Sequence, residues 1–225
     1  MKKALSLLLV TVGLFAAGTA AAQTQTAAAT PQPGHKLIAM CIGCHNIPGY
    51  QATFPEVHKV PMIAGQNAKY IVAALTAYKK GDRKHPTMRG IAGSLSEQDM
   101  NDIAAYYEQL GKGGETAQVP ADKLAVEPSP AVAELLKKGI CVSCHGPNLS
   151  KPIDPSYPKL AGQYSDYLYV ALKAYQTENN PHLGRSNPTM NQQVKPFSHA
   201  QLKELADYIG SLPGEVKTVP QSRFR

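Results

Sequence analysis

The pattern Cys-x-x-Cys-His occurs twice in this 225-residue chain, at residues 41–45 and again at residues 141–145. It is the attachment signature of c-type haem, because two thiols one helical turn apart can each add to a haem vinyl group. The imidazole that follows then lies beneath the iron as an axial ligand. The duplication therefore predicts two covalently bound haem c groups. The predicted attachment residues are Cys41, Cys44, Cys141 and Cys144, and the predicted proximal ligands are His45 and His145.

Two other uses of a Cys-x-x-Cys pair fit this chain less well. A redox disulfide is typical of a βαβ context, and no such context is visible here. A single zinc ion can be held by two such pairs, but those pairs usually lie much closer together than about 100 residues. Neither use explains why a histidine follows the second cysteine in both copies. The two motifs also account for all four cysteines of the chain.

The N-terminus has the layout of a secretory signal peptide. Two lysines precede an apolar run over residues 4–17, and alanines at 20–22 offer a cleavage site. We therefore expect a signal peptide over residues 1–22 and a flexible leader over residues 23–33. An uncleaved membrane anchor is the alternative, because the apolar stretch is almost long enough to span a bilayer.

The rest of the chain consists of two matching halves. The sequence Pro-Met-Ile-Ala-Gly-Gln at residues 61–66 corresponds to Pro-Lys-Leu-Ala-Gly-Gln at residues 158–163. A linker rich in glycine, proline and charged residues separates the halves. We place the boundary near Pro120, which predicts domains over residues 34–120 and 121–225. Both have an ordinary domain size.

The sequence pattern of each half predicts helices and no sheet. First helices are expected from His35 to Cys44 and from Ala131 to Cys144, running directly into the haem motifs. Tyrosine, alanine and leucine recur at helical spacing after both Ala-Gly-Gln segments. Ser96 and Ser198 have capping-box patterns, which predict the start of the last helix in each half.

Each iron needs a second axial ligand to complete its coordination. Thioether sulfur is a soft ligand that favours ferrous iron and raises the reduction potential. Met190 is the one methionine of the second half and is expected in a loop before the last helix. Met88 has the matching Pro-Thr-Met context in the first half, so Met88 and Met190 are the predicted ligands. The other methionines of the first half, expected to pack in the interior, are Met40, Met62 and Met100.

Five further histidines do not recur at matched positions, and we expect all five to be exposed. One of them lies close to Met88 and is an alternative ligand. A haem-ligating histidine usually donates its other ring N–H to a carbonyl, and the matched Pro61 and Pro158 are candidates to supply it. The alternative is that these prolines only shape their loops. The five histidines are His35, His58, His85, His182 and His199. Of these, His85 is the alternative ligand close to Met88.

With these features the chain resembles the cytochrome c4 family over residues 34–213. Each half carries the haem motif, an Ala-Gly-Gln segment and a late Pro-Thr-Met. The resemblance implies an all-α fold of two tandem class I cytochrome c domains, each wrapped around one haem, with the haems facing each other across an interface. It implies histidine and methionine ligation of both irons. One departure is Asn46, where the second half has Gly146; the loop that follows is also longer in the first half.

The resemblance also implies an exported dihaem electron carrier of the periplasm that can associate loosely with the membrane. The implied partners are a cytochrome bc-type donor and a terminal oxidase acceptor of a respiratory chain. One alternative is the cytochrome subunit of a sulfide-oxidising flavoprotein dehydrogenase. Another is a dihaem enzyme of the peroxidase type, which needs one iron with an open sixth position. A carrier has no catalytic residues.

The charge of the chain is moderately positive, with 23 basic and 16 acidic side chains and a formal charge of +7. This excess is mild and forms no basic stripe, so a nucleic-acid partner is not expected. The last residues include Lys217, Arg223 and Arg225 with little apolar pattern. This C-terminal segment is a candidate to touch a membrane or an acidic partner.

Overall fold

The computed structural model describes residues 33–113 and 120–221, which lie in one compact unit. The predicted signal peptide and all but the last residue of the predicted leader lie outside the described residues. In the described stretches the chain is largely helical, as its sequence predicts. No helix of these stretches is both long enough and apolar enough to cross a membrane.

The first half begins with a short 3-10 helix, Pro33–Lys36, and continues with α-helices. A two-stranded antiparallel hairpin lies in the loop that is longer in this half, so the prediction of no sheet was wrong at this one place. The elements are α1 Ala39–His45, β1 Gln51–Ala52, β2 His58–Lys59, α2 Ala68–Lys80, α3 Pro86–Gly93 and α4 Glu97–Leu110.

The second half repeats this order of helices without the hairpin. Its last helix begins at a complete capping box on Ser198, and Ser96 forms the same box at the start of α4, so both predicted helix starts are confirmed. The elements are α5 Pro130–Lys138, α6 Cys141–His145, α7 Ser165–Gln176, α8 Pro188–Val194 and α9 His199–Ser211.

The helix predicted from Ala131 to Cys144 is interrupted just before the haem motif. It ends at Lys138, Gly139 caps it, and Ile140 has a left-handed backbone with φ of +50°. Gly139 is buried where an added Cβ would lie 3.0 Å from the sulfur of Cys141. This close approach is a tertiary contact that helical periodicity does not register. The matching helix of the first half is likewise divided, into the 3-10 helix and α1.

Each half has its own apolar core between its two longest helices. In the first half α2 packs on α4, and Ile71, Leu75 and Tyr107 are buried between them. In the second half α7 packs on α9 and buries Leu168 and Leu202. Burial of one such leucine contributes roughly 1.5–3 kcal/mol relative to an exposed one. The helices that carry these residues are the ones that the repeated spacing predicts.

His58 is buried, with 4% of its surface exposed, so the expectation of an exposed side chain was wrong. Its Nδ1 atom lies 2.8 Å from the carbonyl oxygen of Glu56, and its ring lies against the ring of Tyr167 in the second half. The hairpin causes this burial because it carries His58 onto α7. His35 and His85 are half-buried, whereas His182 and His199 are exposed as expected.

The C-terminal tail after α9 returns to the first half and packs against it. The backbone N–H of Lys217 donates to the carbonyl of Ala64 at 2.9 Å, and Val219 joins the first apolar core. The carbonyl of Val219 also accepts a 2.6 Å hydrogen bond from the side-chain amide of the buried Asn46. The segment up to Gln221 is thus held against the first half, and its contact with a membrane or an acidic partner stays a prediction. The last two arginines lie outside the described residues.

Candidate haem sites

His45 and His145 end the short helices α1 and α6, and each ring contacts a carbonyl oxygen. The Nδ1 atom of His45 lies 2.9 Å from the oxygen of Pro61, and the Nδ1 atom of His145 lies 3.1 Å from the oxygen of Pro158. A carbonyl can only accept, so Nδ1–H donates in both pairs and Nε2 keeps its lone pair for a metal. Both prolines thus supply the carbonyl for which the sequence made them candidates.

The surroundings of both imidazoles favour the neutral ring. Burial lowers the pKa of His45, and the opposing effect of the Pro61 carbonyl is smaller. Burial also lowers the pKa of His145, again against a smaller effect of the Pro158 carbonyl. Neutral imidazole is the form that ligates metals. Each histidine therefore presents a free Nε2 lone pair at neutral pH.

The four cysteines form no disulfide with one another, and each is half-buried in its haem motif. Burial raises the pKa of Cys41 and of Cys141 to about 11. Reactive redox cysteines have a lowered pKa, so the redox-disulfide alternative loses support. The alternative of one zinc ion held by both Cys-x-x-Cys pairs is not supported by the structure either. Within residues 33–113 and 120–221, no group of three or more His, Cys, Asp or Glu side chains is placed to hold a metal ion.

Met88 and Met190 occupy the same position, the third residue of the short helices α3 and α8. The expectation that Met190 lies in a loop was wrong, because α8 already begins at Pro188. Asn187 caps α8 by accepting from the Met190 N–H at 2.9 Å, and His85 caps α3 with a longer 3.4 Å contact to the Met88 N–H. A cap residue followed by proline is a helix-start signal. Both methionine side chains pack against the core of their own half.

The remaining methionines of the first half divide between packing and exposure. Met100 is buried in the first core, so its predicted packing role is confirmed. Met40 is 61% exposed, so the same prediction was wrong for it. Met62 is half-buried, and its backbone takes part in contacts between the halves.

Two arginines between the halves form a feature that the motifs did not reveal. The backbones of Arg83 and Arg185 pair as an antiparallel bridge. Each guanidinium donates to a tyrosine hydroxyl, at 3.2 and 3.0 Å, and lies over two tyrosine rings of its own half. Neither arginine pairs with an acidic side chain of the described residues. Each arginine precedes the candidate methionine of its half by the same number of residues, and this match was the one sign of the pair in the sequence. This arginine–tyrosine cluster comprises Arg83, Arg185, Tyr70, Tyr78, Tyr167 and Tyr175.

The chemistry of these side chains fits two haem c groups. The thiols suit thioether bonds, the free Nε2 atoms suit one axial position on each iron, and the methionine sulfurs are candidates for the other. The arginine–tyrosine cluster holds two positive charges that pair with no carboxylate of residues 33–113 and 120–221, and the propionates of haem would offset them. When bound, each haem supplies an iron that gains or loses one electron. The chain's own residues orient the haem and exclude water.

Comparison with known proteins agrees with this chemistry. The profile of the family described as Cytochrome c matches residues 31–111 and 131–213. Cytochrome c4 of Azotobacter vinelandii is 28% identical and covers 94% of this chain and 100% of its own. A thiosulfate dehydrogenase electron acceptor of Thiomonas intermedia (strain K12) is 28% identical and covers 86% of this chain and 85% of its own. The crystal structure of reduced recombinant cytochrome c4 from Pseudomonas stutzeri is 26% identical with a TM-score of 0.58, over 81% of this chain and 98% of that one.

These matches confirm the predicted fold and the resemblance to cytochrome c4. The family profile covers both haem motifs, so two covalently bound haem c groups are implied for the chain. Cytochrome c4 relatives match it over nearly their whole length. The chain therefore belongs to the cytochrome c family, as a dihaem electron carrier similar to cytochrome c4.

Proposed function

We propose that the protein is an exported carrier that takes electrons from a cytochrome bc-type complex and passes them to a terminal oxidase of a respiratory chain. The matched placement of Met88 and Met190 carries this proposal. Both begin a short helix at the same position and pack against the core of their own half. Together with His45 and His145, they would supply both axial ligands of each iron. No position would then remain for a substrate.

Export to the periplasm is supported by the signal-peptide pattern of residues 1–22. The joined halves support transfer through two sites. Lys59 pairs with Asp166 at 3.1 Å, and Lys173 pairs with Glu56, so ion pairs cross from one half to the other. These contacts and the arginine–tyrosine cluster hold the halves in one arrangement. A fixed arrangement keeps the separation of the two haems constant, which a two-site carrier needs.

Carbon monoxide binding to the unmodified ferrous protein tests the carrier function. We expect low-spin absorption spectra in both oxidation states and no spectral change under carbon monoxide, because the methionine sulfurs would already fill the sixth position of both irons. A haem protein with an open sixth position, measured alongside, controls for gas delivery. Binding at one haem of the unmodified protein would contradict the carrier function and favour the peroxidase-type enzyme.

A second candidate is the electron acceptor of a sulfur-oxidising dehydrogenase. It is favoured by the relative from Thiomonas intermedia and by a second protein of the same description from Stutzerimonas stutzeri (strain A1501), 29% identical over 187 residues. The haem sites of the two candidates are the same, so the donor must decide between them.

Stopped-flow reduction by two donors distinguishes these candidates. If the respiratory assignment holds, we expect a quinol-fed cytochrome bc complex to reduce the protein at least about tenfold faster than thiosulfate dehydrogenase supplied with thiosulfate. The reverse order would support the second candidate. Stable copurification with a flavoprotein would instead favour the cytochrome subunit of a sulfide-oxidising dehydrogenase.

A further inference from the structure

The glutamines of the two Ala-Gly-Gln segments each bind the backbone of the opposite half. Gln163 accepts from the N–H of Met62 at 2.9 Å and donates to the Met62 carbonyl at 2.8 Å. Gln66 accepts from the N–H of Lys159 at 2.9 Å and donates to the Lys159 carbonyl at 3.0 Å. Both side chains are buried, with 3% of Gln66 and 5% of Gln163 exposed. We call these two reciprocal contacts the glutamine clamps.

The orientation of each clamping amide is fixed by its own half. The Oε1 atom of Gln163 also accepts from the backbone N–H of Tyr164 at 3.1 Å, and the Oε1 atom of Gln66 accepts from that of Asn67 at 3.0 Å. Since Oε1 meets two donors and Nε2 meets one acceptor, a flipped amide would lose all three contacts. These contacts hold the glutamine while it grips the opposite half.

The peptide group that each glutamine grips is the one that contacts a haem-site histidine. The N–H of Met62 and the carbonyl of Pro61 belong to one planar peptide unit. Gln163 accepts from its N–H end, and the His45 ring donates to its carbonyl end. In the same way, Gln66 and His145 bind opposite ends of the peptide between Pro158 and Lys159. A hydrogen bond at one end of a peptide polarises and strengthens the bond at the other end.

We propose that each glutamine is a positioning residue for the haem of the opposite half. Gln163 fixes the peptide that orients His45, and Gln66 fixes the peptide that orients His145. An imidazole that donates a stronger Nδ1–H bond is a more basic ligand, so each clamp tunes the iron across the interface. The proposal rests on the axial role of the two histidines that the proposed function assumes, but it does not depend on any electron-transfer partner.

The near-isosteric variants Gln163→Met and Gln66→Met test this assignment by removing the clamp hydrogen bonds at similar side-chain volume. The readout is solvent exchange of the histidine Nδ1–H protons, followed by NMR in the ferrous holoprotein. In Gln163→Met we expect His45 to exchange about fivefold faster or more, as the weakening of a typical buried hydrogen bond predicts. His145 should keep its rate. In Gln66→Met the opposite is expected: the Nδ1–H of His145 should exchange faster, and that of His45 should keep its rate.

The matched control is Gln176→Met. Gln176 lies in the second half and donates to the carbonyls of Val194 and Phe197, so both of these hydrogen bonds stay within its own half. The Gln176→Met variant removes two hydrogen bonds of the same kind and should leave the Nδ1–H exchange rate of His45 unchanged. An effect on the histidine of the variant's own half, equal effects on both histidines, or no effect in either clamp variant would overturn the proposal.

Gln163→Met and Gln66→Met are independent tests. If one variant does not accumulate as holoprotein, the other still decides the question. In the unmodified protein, the backbone amide protons of Met62 and Lys159 should also exchange slowly. This protection should be lost at Met62 in Gln163→Met and at Lys159 in Gln66→Met. Fast exchange of both in the unmodified protein would also overturn the proposal. None of these measurements uses electron transfer, so a wrong carrier assignment would be recognised separately by the carbon monoxide test.

Discussion

Replacement of Met190 by alanine is expected to open the haem of the second half to carbon monoxide and to lower its reduction potential. The second half contains no other methionine, so its iron has no thioether to recruit nearby. Water or a nearby nitrogen ligand would take the position, and the ferrous iron would lose its soft ligand. We expect a fall on the order of 0.1 V, within the range of about 0.8 V over which axial ligands set haem potentials.

Potentiometric titration and carbon monoxide difference spectra measure this change. The haem of the first half should keep its potential and stay closed to carbon monoxide, which makes it an internal control. Met88→Ala should produce the mirror result, although Met62 or His85 can partly replace the lost sulfur. A Met190→Ala protein whose second haem keeps its reduction potential and still excludes carbon monoxide would show that another residue ligates the second iron.

Replacement of Gly111 by alanine is expected to destabilise the first half strongly. Gly111 is the C-cap residue of α4, and an added Cβ would lie 2.0 Å from the backbone nitrogen of Gly65 and 2.6 Å from the carbonyl carbon of Ala64. Backbone atoms cannot rotate away as a side chain can, so helix and segment must separate. We expect the free energy of unfolding to fall by about 3 kcal/mol or more, at the upper end of overpacking costs.

Denaturant unfolding of the holoprotein measures this loss, with Gly113→Ala as the matched control. Among the described residues, an alanine Cβ at Gly113 would meet only the Leu110 carbonyl oxygen, at 4.0 Å, so this variant should unfold within about 1 kcal/mol of the unmodified protein. Equal stability of the two variants would mean that α4 does not approach the Ala-Gly-Gln segment as closely as described.

The candidate haem residues could be singled out in the sequence because each is marked locally and twice. The spacing of Cys41, Cys44 and His45 is itself the signal, and Met88 is recognised by its match to Met190. The helices were predicted from periodicity and caps. Two details differ in the structure: the close contact at Gly139 interrupts one predicted helix, and the cap at Asn187 starts a helix that includes Met190 where a loop was expected. These corrections concern how the chain is supported around the sites rather than the candidate residues themselves.

The contacts between the halves were not predictable in the same way. Gln66 and Gln163 were visible as repeated residues, but nothing local indicates that each binds the opposite half. Arg83 and Arg185 have no motif, and their pairing exists only after the two halves are brought together. The burial of His58 likewise depends on where a two-residue strand places it. Residues distant in sequence must pack before any of these roles appears, so periodicity and spacing do not encode them.

Because the C-terminal tail packs on the first half, the first half can complete its fold only after the whole chain has been synthesised. Asn46 directly follows the first haem motif, yet the carbonyl that it binds belongs to Val219, 173 positions later in the chain. Synthesis at about 5–20 residues per second separates these two residues by roughly 10–35 seconds. During that interval the first half lacks part of its core and a partner for a buried amide. The first haem motif to leave the ribosome is thus the last to be fully enclosed by protein.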